Sequence, residues 1–192
     1  SVSISSGLTS ISEGLFSRNE LSSVTIPAGV TTIEGFAFNR NKLTSVAIPD
    51  SVTSIGTAAF QLNDLTSVTI PDGVTIIGDS AFNANELTSV TIPDSVKSIG
   101  RSAFQANQLT SLIIPDSVIS IGNSAFRSNL ITVLLFRGDK PFFSHISTFG
   151  MVPSGLIAYC EVNSGWNDDK VDGISPVADC DLDGVLDSQD AF

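Results

Sequence analysis

The sequence predicts a repeat solenoid, a stack of short coils around one continuous core. Three observations predict it. An Ile-Pro pair recurs at 26/27, 48/49, 70/71, 92/93 and 114/115. A phenylalanine recurs at 38, 60, 82, 104 and 126, with Phe16 in the same frame. An asparagine recurs at 19, 41, 63, 85, 107 and 129. All three columns keep one 22-residue period without insertion, as in Asn85–Ala106. A fixed period of this length marks stacked supersecondary units, each too small to bury its own apolar face.

Within a unit each element has a reason. Leu87, Val90 and Ile92 end in apolar alternation, which suits a short strand with one buried face. Pro93 cannot donate to a ladder, so that strand ends there, and Pro-Asp-Ser is turn chemistry. Val96 and Ile99 return to the core from a second extended piece, and Gly100 is expected to allow a corner. Ala103 and Phe104 turn inward again, with Phe104 filling the gap between coils. Each fully buried Ile, Val, Leu or Phe contributes about 1.5–3 kcal/mol. The asparagine carries both donor and acceptor groups, so a stacked column from Asn19 to Asn129 is expected to satisfy the backbone of successive coils.

The pattern L-x-x-V-x-I-P-x-x-V-x-x-I-G-x-x-A-F over Val2 to Phe136 resembles the leucine-rich repeat of the BspA-like type, found in bacterial surface proteins. That family often has cysteine where this chain has the repeated asparagine. The resemblance implies a right-handed, curved solenoid with a parallel β-sheet on its concave face and short extended or irregular segments on the convex side. It also implies an extracellular or cell-surface location and a partner held on the concave face.

Alternation then defines the outward positions of the first strand. One column is Ser23, Ser45, Ser67, Ser89, Ser111 and Val133; the other is Thr25, Ala47, Thr69, Thr91, Ile113 and Leu135. Ser45, Ser67, Thr69, Ser89, Thr91, Ser111, Ile113, Val133 and Leu135 are the candidate protein-binding residues. This face is small and neutral, then turns apolar at Ile113, Val133 and Leu135. An exposed apolar patch marks an interaction site, and burial under the C-terminal segment is the competing expectation. Asp50, Asp72, Asp94 and Asp116 form an acidic column, read as turn residues that bond their own turns, with a weak cation site as the alternative.

Composition narrows the function. The net charge is −11, which argues against nucleic acid or an anionic membrane as partner, and no apolar run is long enough to span a bilayer. Residues 1–160 hold 11 acids and 8 bases, whereas residues 161–192 hold 9 acids and one base, so the acidity belongs to the tail. The chain opens inside a repeat, at Val2-Ser3-Ile4, and reads as part of a longer exported protein. Self-association through that first, uncapped coil is expected. Residues 129–150 read as a degenerate coil in which Arg137-Gly138-Asp139 replaces the proline turn; three residues are too few to imply integrin binding. Phe142, Phe143 and Phe149 supply aromatic bulk, and residues 1–166 read as the solenoid with its cap.

Residues 167–192 read as an acidic linker and a calcium-type loop. Asp179, Asp181, Asp183, Asp187 and Asp190 stand at positions 1, 3, 5, 9 and 12, with Gly184 at 6 and the Val185 carbonyl at 7. A hard cation with many oxygen ligands needs such a loop. The spacing resembles a thrombospondin type 3 calcium repeat, present once. Cys160 and Cys180 are the only cysteines. In an exported chain such a pair suggests one disulfide, and two buried thiols is the alternative. No nucleophile–base set or phosphate loop is found, so the chain is expected not to be an enzyme. The expected function is an adhesion-type protein-binding module. A calcium-stiffened spacer without a ligand is the alternative, and ice or polysaccharide binding by the Ser/Thr array is a weaker one.

Overall fold

A computed structural model describes residues 2–137 together with 142–143, 148–149, 158–159 and 177–178. The chain winds into stacked coils whose strands pair in parallel, each with the corresponding strand of the next coil. The strands in chain order are β1 Val2–Ser3, β2 Ser10–Ile11, β3 Val24–Thr25, β4 Thr32–Ile33, β5 Ser54–Ile55, β6 Ile76–Ile77, β7 Ser98–Ile99, β8 Ser111–Ile114, β9 Ser120–Ile121, β10 Val133–Phe136, β11 Phe142–Phe143, β12 Ala158–Tyr159 and β13 Val177–Ala178. Among the described residues there is no helix, and so none long and apolar enough to cross a membrane.

The parallel solenoid is the one the repeat predicts, but its two extended segments pair unequally. The second segment builds the continuous sheet, in the order β2-β4-β5-β6-β7-β9-β11, always 22 residues out of step. The L-x-x-V-x-I segment, expected to carry the main strand, pairs as a full ladder only at β8 with β10, and more briefly at β1 with β3. Between them it makes single bridges, Thr25 with Ala47 and Thr69 with Thr91. A glycine follows β5, β6, β7 and β9, whereas Ser12 follows β2 and Glu34 follows β4 in the same sheet. A Cβ at Gly56 would lie 2.6 Å from the Gly35 nitrogen, and one at Gly78 would lie 2.6 Å from the Gly56 carbonyl carbon. At these two positions a side chain would have to push backbone aside. These glycines therefore serve close approach and have no positive φ, which corrects the corner expected at Gly100.

The left-handed corners fall elsewhere, at Gly14 with φ 64° and otherwise on residues that are not glycine. Two columns, four residues apart, hold them: Phe36, Ala58, Ser80, Ser102 and Ser124, then Arg18, Arg40, Leu62, Ala84, Ala106 and Ser128, all with φ between 54° and 60°. Such a residue costs about 1–2 kcal/mol in steric repulsion. Its N–H, however, points at the next coil: Ala58 donates to Asp79 O at 2.7 Å and Leu62 to Asn83 O at 2.9 Å. These bonds recur down the stack and offset the strain.

The core is one apolar column per repeat position. Val52, Ile55, Ala59, Phe60 and Leu65 are buried, as are their equivalents in neighbouring coils. The phenylalanines Phe16, Phe38, Phe60, Phe82, Phe104, Phe126 and Phe149 form one continuous stack, with ring centroids 5.3–5.6 Å apart. Phe149 stands one position beyond the strict period. Phe142 still pairs in register with Ser120, so the extra residue enters between 143 and 148. The Phe136 and Phe149 rings meet edge to face, with centroids 6.3 Å apart, which adds aromatic filling at this end of the stack.

The asparagine column is the expected ladder. Asn85 Nδ2 donates to Phe60 O at 2.9 Å and Phe82 O at 3.1 Å, and its Oδ1 accepts from Leu65 N at 3.1 Å. Asn41, Asn63, Asn107 and Asn129 repeat the pattern. Asn19 is exposed and bonds Ser17 O instead. Beside it runs a second amide ladder, in which Asn39 donates to the Gln61 side chain at 3.0 Å and Gln61 to that of Asn83 at 2.9 Å.

Candidate functional site

The candidate site is the outward face of the first strand segment over its last three described coils. Pleating at β8 buries Leu112 and Ile114 and turns Ser111 and Ile113 outward; β10 does the same with Leu134 and Phe136 against Val133 and Leu135. Their register places Val133 beside Ser111 and Leu135 beside Ile113. Ser45, Ser67, Thr69, Ser89, Thr91 and Ser111 are all exposed. Ile113 and Val133 keep 44% and 46% of their surface, and Leu135 is half-buried. The predicted binding residues thus lie in two stacked columns, with apolar groups at one end. The backbone of β12 runs close to that of β10.

A cleft of about 470 Å3 is cut into this face. It is lined by Ser89, Thr91, Ser111 and Ile113 from the strands, by Pro93 and Pro115 at their exits, and by Asp72, Asp94 and Arg137 around them. The two carboxylates come from the acidic column and the guanidinium from the Arg137 that ends β10. The sequence marked each of these three for another reason and did not join them. Only the stacking brings residues 72, 94 and 137 to one cleft.

The acidic column itself differs from expectation. Each turn is closed by backbone, Val96 N donating to Pro93 O at 3.0 Å and Val74 N to Pro71 O at 3.0 Å. Where a serine follows the aspartate it ties the turn to the previous coil, Ser95 Oγ donating to Val74 O at 2.7 Å, whereas Gly73 follows Asp72. Among the described residues, the Asp50, Asp72, Asp94 and Asp116 side chains take no part in these bonds and stand exposed. The period of the column is satisfied by proline and serine, which leaves the carboxylates free for solvent or a ligand. No three His, Cys, Asp or Glu side chains converge on a metal-binding group among the described residues.

The remaining predicted residues, Asp179, Asp181, Asp183, Val185, Asp187 and Asp190 for calcium and Cys160 with Cys180 for a disulfide, lie outside the described residues. So does the boundary placed at residue 167. The pairing of β12 with β13 is described, Ala158 with Val177 and Tyr159 with Ala178.

A stack of parallel coils with an aromatic spine and an amide ladder defines a β-solenoid repeat protein. The BspA type leucine rich repeat region matches residues 1–108 and 53–138, in six copies. The chain belongs to that family. Among solved structures it is similar to a leucine-rich repeat protein from Bacteroides ovatus ATCC 8483, with 22% identity, a TM-score of 0.57, and coverage of 83% of this chain and 55% of that one. It is also similar to a leucine rich cell surface protein from Faecalibacterium prausnitzii A2-165, with 28% identity, a TM-score of 0.48, and coverage of 68% and 43%. The chain therefore spans about half the length of these structures. No curated protein matches it.

Proposed function

We propose that the chain is a non-catalytic, extracellular protein-binding module of the adhesion type, which holds its partner on the outward face of the first strand segment. One observation carries this reading: a cleft cut into an exposed face of small hydroxyl groups, next to the exposed apolar side chains Ile113 and Val133. Small side chains leave the backbone surface accessible, and exposed apolar groups release water when covered. The placement at the cell surface rests on membership of the BspA-type repeat family. The acidic loop from Asp179 to Asp190 is proposed as a calcium site on the spacing of its carboxylates alone.

The test is binding of the chain to a panel of purified extracellular proteins, with Ser111→Arg, Ile113→Arg as the comparison. Binding by the unaltered chain that is lost in this variant, with the far-ultraviolet spectrum and urea midpoint retained, supports the reading. Binding that survives the variant moves the site off this face, and an absence of binding throughout favours the spacer. For the loop, calcium titration by calorimetry is expected to show binding that Asp183→Asn weakens by about tenfold or more, equivalent to losing one charged ligand. A flat titration at millimolar calcium removes the metal from the account.

A further inference from the structure

We infer that the cleft holds an extended segment of a partner polypeptide, laid along the solenoid axis, in which a cationic side chain and an anionic one stand four residues apart with an apolar residue midway. This rests on the face assigned above and specifies what that face recognises.

The direction follows from the lining. Asp72, Asp94, Pro115 and Arg137 come from four successive coils, so the cleft crosses the strands and runs down the stack. At about 4.8 Å per coil, Asp72 and Arg137 stand roughly 14 Å apart along that axis. An extended chain rises about 3.3 Å per residue, so four steps cover nearly the same length. Residues i, i+2 and i+4 of an extended chain share one face. With residue i over Asp72 and Asp94, residue i+2 falls at Ile113 and residue i+4 at Arg137. The cleft is thus acidic at one end, apolar in the middle and basic at the other.

The charges are available for this. Among the described residues the only ion pair is Lys42 with Glu20, far from the cleft in sequence, so Asp72, Asp94 and Arg137 are not neutralised by each other. Asp116, next in the acidic column, is exposed but does not line the cleft. The chain's own residues 161–192 are a poor occupant by charge. Residues 161–192 carry 9 acids and one base, so seating it would bring carboxylates against Asp72 and Asp94.

The experiment uses three labelled, end-blocked peptides, Lys-Thr-Ile-Thr-Glu, Lys-Thr-Ile-Thr-Lys and Glu-Thr-Ile-Thr-Glu, titrated with the whole chain at low salt and followed by fluorescence anisotropy. The mixed peptide is expected to bind about threefold to fivefold tighter than either single-sign peptide, the size an exposed ion pair allows. In Arg137→Glu the order changes, and the Lys/Lys peptide binds best. In Asp94→Asn the advantage of the mixed peptide over Glu/Glu shrinks. The inference is overturned if the three peptides bind alike, if Arg137→Glu leaves their order unchanged, or if none binds up to about 1 mM, as when the chain fills its own cleft. Either result is separate from the partner panel. Loss of partner binding in Ser111→Arg, Ile113→Arg would still stand for the face if the peptide ranking failed.

Discussion

Asn85 shows what one side chain does in this stack. Its amide bonds two phenylalanine carbonyls and one leucine N–H, joining its own coil to the preceding one. Alanine there leaves the buried Leu65 N–H without a partner, at about 1–3 kcal/mol, and leaves Phe60 O and Phe82 O with one asparagine donor each, Asn63 and Asn107, in place of two. Asn85→Ala should therefore lower the unfolding free energy by about 1–3 kcal/mol in a urea titration. Asn19→Ala should change it little, since Asn19 is exposed and bonds only Ser17 O. Equal effects at the two positions would contradict the ladder. The left-handed residues reverse the usual order of glycine and alanine. Ala106 has φ 56° and is exposed, so Ala106→Gly should be neutral or stabilise by up to about 1 kcal/mol. Gly78→Ala places a Cβ 2.6 Å from backbone and should destabilise clearly. Thermal melts of the two variants against the parent check the sign.

At the scale of the element, the two columns that bear weight were readable from spacing alone. Phenylalanine and asparagine at fixed positions 22 residues apart can only stack on themselves once coils repeat in parallel. Phe82 sits between two rings at 5.4 Å and is fully buried. Phe82→Ala should cost about 3–5 kcal/mol, more than the same change at the half-buried Phe16, as judged by denaturant unfolding. Other features were not readable. L-x-x-V-x-I and V-x-x-I both look fit for a strand, and their residue types do not say which one pairs continuously, since the sheet runs on through Ser12 and Glu34 where later coils have glycine. A non-glycine left-handed corner leaves no mark in composition, because Phe36, Ala58 and Ser80 share one column without sharing chemistry. The amide ladder at Asn39, Gln61 and Asn83 carried a visible signal, an amide after every phenylalanine from 38 to 104, which the asparagine column overshadowed.

For the whole molecule, the repeat determines the face and the interruptions of the repeat determine the site. Over coils that keep the consensus the outward columns are Ser and Thr. Where the pattern drifts, at Ile113, Val133 and Arg137, the face gains apolar surface and a cation, and there the cleft opens. Sequence alone gave the outward residues by alternation, and three-dimensional stacking added Asp72, Asp94 and Arg137. The continuous second sheet has its own exposed residues, including Ser54 and Ile76, the latter with 55% of its surface free. This makes a control of matched chemistry on the other sheet. The most direct measurement is surface plasmon resonance of a panel partner against two variants, Ser111→Arg, Ile113→Arg on the cleft face and Ser54→Arg, Ile76→Arg on the continuous sheet. The account predicts that the first loses binding by at least about tenfold and the second keeps it within about twofold. Retention in the first with loss in the second would contradict the account and move the binding face to the other sheet.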